Sequence, residues 1–344
     1  MNDRIEIEAL KRQRRPTMSD VARLAGVSPM SVSNTFKKPD MVSDEIRARV
    51  FEAAHKLDYV PNMLAGTLAS GRSRIVGVIV PSVRNSNFAG VIQGLEEALG
   101  QLGYDLMLAV ADRPEREYRA VQAFIGRRVD GVILTGIDHG ANTTHLLRRG
   151  HVPVVETWNL NGPFIDMAVG FSLYDAAFDM AGLLIKRGYR RIGFASYGSP
   201  ANTKRLAERQ RGFQAAMQQA GLRDDLQYYA EEAMGFGAGR VALNGLLQQE
   251  PDLDAVLCAT DVLAAGIIFE CHRRGWSVPD RLAVAGYGDY DIAAEITPGL
   301  TTVRTPGHEI GATAAKMIVD AVNGAAASPA IVDVGYEIIV RDST

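Results

Sequence analysis

DVARLAGVSPMSVSN, Asp20 to Asn34, places a Ser-Pro pair between two stretches of helical periodicity, and the reading of that pair decides the fold. Thr17 can cap a short helix over 19–25, with Val21, Leu24 and Ala25 on one face. Gly26 permits the left-handed backbone that ends a helix tightly. Ser28 is a good N-cap, and Pro29 falls at the first helical position, where its missing N–H costs nothing and its fixed φ suits the helix. The proline therefore starts a second helix. In it Val32 and Phe36 share the side expected to face the first helix, which leaves Met30, Ser33 and Asn34 outward. A third helix is expected after Ser43, with Asp44 and Glu45 in its first turn. Its apolar positions Ile46, Val50, Ala53, Ala54 and Leu57 close a small core.

Two helices joined by a Gly-containing turn and backed by a third make a helix-turn-helix. A generic three-helix bundle has the same core. The outward face of the second helix separates the two readings, because it is short, uncharged and amide-bearing, with basic residues on either side. Asn34 can pair with an adenine edge and Met30 can touch a thymine methyl. Arg14, Arg15, Lys37 and Lys38 suit phosphates, which fix orientation without reading sequence.

The charge distribution agrees. Residues 10–76 hold twelve Lys and Arg against six Asp and Glu, so this stretch carries +6 in a chain whose net charge is −3. A basic head on an acidic body suits a polyanion-binding module fused to a regulatory domain. At 344 residues, 47% hydrophobic and 22% charged, the chain suits two or three domains of an ordinary globular protein. Its longest apolar runs fall short of the roughly 20 residues of a membrane span, and the N-terminus lacks the apolar region of a secretory signal. Cys258 and Cys271 make neither a disulfide framework nor a metal site, as expected of buried thiols in a reducing cytoplasm. A cytoplasmic location follows, with association to the nucleoid when DNA is bound.

DVARLAGVSPMSVSN resembles the D-V-A-x-x-A-G-V-S-x-x-T-V-S-R pattern of the lactose-repressor (LacI) family. LDYVPNMLAGTLASGRS, Leu57 to Ser73, resembles its L-x-Y-x-P-N-x-x-A-x-x-L hinge. The resemblance implies that Pro29, Met30 and Asn34 read bases, with Thr17, Ser19 and Ser33 also at the DNA. It further implies that Asn62 to Ser70 folds into a hinge helix on DNA, wedging Leu68 into the minor groove. Physics agrees, since a stretch with Gly66 and Gly71 is weakly helical alone, and unstacking bases by a few kcal/mol gains a bent, more fully wrapped site. One departure matters: Asn34 stands where the family usually has Arg, so an arginine-to-guanine contact is lost.

From Ile75 the pattern changes to short apolar strands, 75–80, 106–110, 131–135, 152–156, 192–196, 255–259 and 282–286. Amphipathic stretches near 88–102, 115–127, 143–149, 174–187, 204–220 and 261–274 separate them. This alternation predicts parallel sheets covered on both faces, in two doubly wound lobes with a ligand cleft at the strand ends. No GxxxxGK[ST], HExxH or GxSxG occurs, and GFGAG at 235–239 is read as lying outside a strand-turn-helix context. No catalytic, metal-binding or cofactor residues are expected.

The resemblance continues through the body, and ETWNLNGPFIDMAVGFS with the R-x-R-G-F of 209–213 looks most like the gluconate-operon repressor branch. It implies a periplasmic-binding-protein-like body. The expected boundaries are a disordered basic arm over 1–16, a helix-turn-helix over 17–61, a hinge over 62–74 and a body over 75–344. Within the body, lobe 1 is expected over 75–171 and 304–329, and lobe 2 over 172–303 and 330–344. The effector-site candidates are Asn87, Phe88, Glu156, Trp158, Phe171, Arg205, Arg209, Thr260, Asp261, Asp289 and Asp291. Glu156, Trp158 and Phe171 could instead be core, and the arginines a solvated helix face with Lys204 and Arg211.

Gly288 stands where the family usually has an acceptor Asp, while Arg205 and Arg209 share a helix face suited to gripping a carboxylate. The expected function is thus a transcriptional repressor that binds a pseudo-palindromic double-stranded operator as a homodimer. Its effector is expected to be an anionic sugar derivative such as gluconate. A dimer is favoured over a tetramer, because the chain stops after YEIIVRD without a leucine-heptad tail. The alternatives are a regulator answering to a neutral sugar, a purine or a protein co-effector, and, from other classes, a solute-binding protein or a nucleotide or sugar enzyme.

Overall fold

The computed structural model describes residues 16–61, 71–83, 88–198, 204–230, 235–325 and 330–344. The chain divides into two units, Met1–Ser73 and Arg74–Thr344. The expected basic arm and most of the expected hinge, with Asn62 and Leu68, lie outside the described residues, as do Arg14, Arg15 and Asn87.

The first unit holds helices α1 (Met18–Ala25), α2 (Pro29–Lys37) and α3 (Asp44–Leu57), with a 3-10 turn at Pro39–Met41. The Ser28 hydroxyl accepts from the Ser31 amide at 3.0 Å with Pro29 at the first turn, so the Ser-Pro pair does open a helix. Gly26 ends α1 at φ +63°, and a Cβ there would fall 2.8 Å from the Arg49 guanidinium. Arg49 reaches back from α3 to donate to the Ala25 and Gly26 carbonyls, the helix-end acceptors that otherwise lack partners. Val21, Ala22, Ala25, Val32, Val50, Ala53, Ala54 and Leu57 form the core. Two expectations are corrected. Leu24 is 37% exposed and Ala22 takes its place inside. Phe36 sets its ring edge-on to Phe51, 5.5 Å away, and near Tyr59, so it packs on α3 and the residues after it.

The second unit has two six-stranded sheets. The first contains β1 (Ile75–Val80), β2 (Asp105–Val110), β3 (Gly131–Thr135), β4 (Val154–Trp158), β5 (Met167–Gly170) and β11 (Ile331–Asp333), in the order β11-β5-β4-β3-β1-β2. The second contains β6 (Ile192–Tyr197), β7 (Gln227–Ala230), β8 (Ala255–Cys258), β9 (Ala283–Gly288), β10 (Thr301–Arg304) and β12 (Glu337–Ile339), in the order β12-β10-β9-β8-β6-β7. All pairings are parallel except β10 with β12. Near-continuous apolar strands such as IVGVIV are buried on both faces, which is why helices cover each sheet twice. The helices are α4 (Phe88–Gln101), α5 (Pro114–Gly126), α6 (Ala141–Gly150), α7 (Leu173–Lys186), α8 (Lys204–Gln219), α9 (Phe236–Gln249), α10 (Asp261–Arg273), α11 (Asp291–Glu295) and α12 (Gly307–Val322).

Each sheet repeats one doubly wound order, whose strand order reverses between β1 and β3 in the first and between β6 and β8 in the second. Ligands of such sheets bind beyond the strand ends at these reversals. The segments after those strands carry Phe88, Gly136 to His139, Arg205 to Arg209, and Thr260 with Asp261. Topology alone therefore aims four groups of residues at one cleft between the lobes.

The chain passes between lobes at 171–172, 305–306 and 334–336. The expectation that 330–344 belongs wholly to lobe 2 is corrected. Residues Ile331–Asp333 pair with β5 in the first sheet, and the Val334 amide donates to Gly170. GFGAG is corrected as well: it opens α9, which follows β7 in chain order. Its Gly239 is there for packing. A Cβ on Gly239 would lie 2.4 Å from the Leu263 carbonyl, and one on the facing Gly266 2.1 Å from the Phe236 carbonyl, so α9 and α10 touch backbone to backbone.

Candidate functional site

On α2, Pro29 and Met30 are exposed, Met30 at 68%, while Ser33 and Asn34 are half-buried beside them. The buried side carries Val32 and Thr35, whose hydroxyl donates to the Ser31 carbonyl. Thr17 and Ser19 are exposed at the start of α1, and the Thr17 hydroxyl donates to Asp20 at 2.6 Å. The module thus offers an apolar tip and small polar groups on the first turns of its second helix, with Lys37 and Lys38 exposed at the far end.

In the second unit the strand ends meet over an aromatic floor. Phe88 stands edge-on to Trp158 at 5.6 Å. Trp158 lies 6.0 Å from Phe171 at the crossover, and Phe171 stacks on Tyr287 at 6.5 Å. Arg205 sits over Phe88 and donates to the Thr135 carbonyl at 3.2 Å. Arg209 sits over Tyr287 and donates to the Ala259 carbonyl at 2.8 Å. Both guanidiniums come from α8, one turn apart, and neither makes an ion pair among the described residues. Burial, and then the like charge of Arg209, pull Arg205 down to about 10.

Trp158 holds φ +82°, a left-handed conformation that costs a bulky residue strain, which is characteristically kept at functional sites. Its backbone crosses so close to the next strand that a Cβ on Gly170 would fall 2.4 Å from the Trp158 carbonyl oxygen. Among the described residues six buried side-chain polar atoms have no hydrogen-bond partner. Four of them, Trp158 Nε1, Asn159 Oδ1, Arg209 Nε and the Tyr287 hydroxyl, belong to this one place. Each such atom costs about 1–3 kcal/mol, so four of them on neighbouring residues are an unusual concentration of unmet polar groups.

Glu156, Thr260, Asp261, Asp289 and Asp291 separate from this cluster. Glu156, like Trp158, lies within β4 rather than after it. Glu156 accepts from the Ile165 amide at 2.5 Å and lies 3.4 Å from His139, so it is framework and not a ligand group. His139 is itself 3% exposed and also pairs with Glu117 at 2.9 Å. Burial alone lowers an imidazolium pKa, but the hydrogen bonds and charges of Glu117 and Glu156 outweigh it and raise His139 to about 9. Thr260 is the N-cap of α10. Asp261 accepts from the Thr302 hydroxyl at 2.5 Å and the Tyr290 amide at 2.7 Å, pinning the end of β9 from inside, so neither residue presents a free group to a ligand. Burial, opposed by those two hydrogen bonds, pushes Asp261 up to about 6. Asp289 is held by Arg304 and Arg341, each at 2.7 Å. Asp289 and Asp291 line a crevice of about 620 Å³ with Gly90, Phe236 and Thr305, beside the cluster and not in it.

The sequence reading missed Asn159, Glu208 and Tyr287. Asn159 directly follows β4 and Tyr287 ends an apolar strand, so the strand-end rule could have found both. Glu208 lies three residues after Arg205 and so shares its helix face.

The family of bacterial regulatory proteins named lacI matches residues 17–62, and a periplasmic binding protein-like domain matches 181–344. The HTH-type transcriptional regulator GntR of Escherichia coli K12 is 33% identical over 94% of this chain and 97% of its own length. The chain belongs to the LacI family. A second LacI-type relative, the HTH-type transcriptional regulator IdnR of the same organism, is 31% identical over 95% of this chain and 98% of its own. A crystal structure of a LacI-family regulator from Silicibacter pomeroyi superposes with a TM-score of 0.87 at 31% identity, covering 95% of this chain and 99% of that one. This LacI-family chain is a DNA-binding transcription repressor with an effector-binding body, and not an enzyme. Among its described residues no helix is long and apolar enough to cross a membrane, and no group of three His, Cys, Asp or Glu could hold a metal ion.

Proposed function

We propose that the repressor binds a pseudo-palindromic operator as a homodimer and answers to a sugar acid, gluconate or a related anionic carbohydrate derivative, held between its lobes. The observation that carries the effector class is the pair Arg205 and Arg209. These are two guanidiniums set in the cleft one turn apart, hydrogen-bonded to carbonyls and stacked on rings, with no ion pair to a carboxylate among the described residues. Buried charge of one sign calls for a counter-charge, and a guanidinium fork matches a carboxylate in shape. Phe88, Trp158, Phe171 and Tyr287 supply the apolar floor for the carbon chain.

At the DNA, Pro29, Met30, Ser33 and Asn34 read base edges, while Thr17 and Ser19 fix the module on phosphates. Asn62 and Leu68 belong to a hinge over 62–74 that couples the module over 17–61 to the body over 75–344. Effector binding changes lobe closure, and through the hinge it changes operator affinity. The test is selection of the full chain on randomised duplexes, followed by fluorescence anisotropy on the selected duplex with and without D-gluconate. The proposal expects a two-fold-symmetric site whose affinity shifts with the acid and falls steeply with salt. An asymmetric site, or an affinity indifferent to sugar acids, contradicts it.

A further inference from the structure

We infer that Asn159 and Glu208 form the hydroxyl-accepting pole of the cleft and select a polyhydroxylated acid over a plain carboxylate. The inference rests on the anionic-effector reading above and names two residues that set its specificity.

Asn159 comes from the end of β4 in one lobe and Glu208 from α8 in the other, and they are 0% and 3% exposed. The Asn159 amide donates to Glu208 Oε2 at 3.3 Å, which leaves Asn159 Oδ1 buried without a partner. Asn159 directly follows Trp158, which is joined through Phe171 and Tyr287 to Arg209, and Trp158 Nε1, Arg209 Nε and the Tyr287 hydroxyl are unpartnered too. Glu208 sits directly before Arg209 on α8 and one turn after Arg205. Among the described residues its ion-pair partner is the exposed Arg211, at 3.9 Å, with Lys204 acting from further away. Burial raises its pKa, with Arg211 and the Asn159 hydrogen bond opposing.

Elimination sharpens the case, because the other carboxylates at these strand ends are committed. Asp138 accepts from the Lys204 amide, Glu156 faces His139 and Ile165, Asp261 holds Thr302 and Tyr290, and Asp289 holds two arginines. Gly288 offers no side chain at all. Among the described residues, the side-chain acceptors left at the cluster are Glu208, Asn159 Oδ1 and the Tyr287 hydroxyl, of which only the hydroxyl can also donate.

A buried carboxylate is tolerated when donors satisfy its lone pairs, and polyol hydroxyls are such donors. With the acid end gripped by Arg205 and Arg209, the hydroxyls fall to the acceptor pole. A chain lacking hydroxyls leaves Asn159 Oδ1 unpaired and gives Glu208 no donor beyond the Asn159 amide, which is how a polar site rejects an analogue by large factors.

The test is calorimetric titration of the full chain, with D-gluconate and with hexanoate, which has the same carbon count and carboxylate but no hydroxyls. Wild type is expected to prefer gluconate by roughly a hundredfold or more. Glu208→Gln keeps the shape, and Asn159→Ala removes the orphan oxygen. Each is expected to weaken gluconate by roughly tenfold or more while leaving hexanoate unchanged, so that the preference collapses. Equal losses for both acids would mean that the pair merely holds the lobes together, and would overturn the inference. Gluconate binding with selectivity unmoved by either variant overturns this inference alone. Wild type binding neither acid overturns the anionic-effector reading and this inference with it.

Discussion

The Arg209 guanidinium lies 4.4 Å from the centroid of the Tyr287 ring, while Arg209 Nε and the Tyr287 hydroxyl are both buried without a partner. The Arg209 guanidinium thus covers the ring, and each residue keeps an unmet polar atom. Lysine in its place keeps the charge but loses the planar fork and the stack. Arg209→Lys is therefore expected to lower sugar-acid affinity by roughly tenfold or more, and Arg209→Ala to abolish it, both with operator binding intact. Calorimetry showing wild-type effector affinity in either variant would place the effector elsewhere.

His139 supplies a pH signature. It is faced by Glu117, Glu156 and the Gly136 carbonyl, with Asp166 beside Glu156. Its pKa is raised from 6.5 to about 9, so the folded state holds its proton more tightly than the unfolded chain does. That stabilisation is complete below pH 6.5 and is lost as pH rises through about 9. The shift corresponds to on the order of 3 kcal/mol. Urea denaturation of wild type and His139→Gln across this window should show their stability difference shrinking with rising pH. A constant difference would mean that the imidazole is neutral in the fold.

Gly266 meets Gly239 where α9 crosses α10, with the Phe236 carbonyl 2.1 Å from any added Cβ. Backbone has little room to give, so Gly266→Ala should cost about 1–3 kcal/mol through overpacking, despite alanine's better helix propensity. A midpoint in denaturant equal to or above wild type would show that the helices part without penalty.

These results show where sequence is readable. The recognition of α1, α2 and α3 rested on caps and turns whose chemistry is local, and Ser28, Pro29 and Gly26 do what their types dictate. Seven strands were visible as apolar runs. The short β5, β7, β10 and β11, and helices α9, α11 and α12, were not marked, because small or mixed residues blur their periodicity, while β12 lies within YEIIVRD. Which acid faces the cleft was not legible either. Asp261 and Asp289 sit at strand ends as a ligand group would, yet partners distant in sequence, Thr302, Arg304 and Arg341, consume them. Glu208 draws no attention from its place in the helix sequence, and only the approach of Asn159 from the other lobe reveals it.

Asn34 lies half-buried on α2, beside exposed Met30, on the side proposed to face DNA. An amide suits adenine, whereas an arginine suits guanine, and one good bidentate pair discriminates by about 1–3 kcal/mol. Selection on randomised duplexes should return a different base preference for Asn34→Arg than for wild type at one position of each half-site, shifted toward guanine. An unchanged consensus would remove Asn34 from base reading.

The central claim, that an anionic sugar derivative occupies the cleft around Arg205 and Arg209, is tested most directly by the thermal stability of the full chain. The ligands to compare are D-gluconate, D-glucose, D-glucose 6-phosphate and adenine, because a ligand bound by the native state raises Tm by mass action. The account predicts a concentration-dependent rise with gluconate or the sugar phosphate that disappears in Arg209→Ala. A rise with glucose or adenine alone, or one that survives the loss of Arg209, would contradict it.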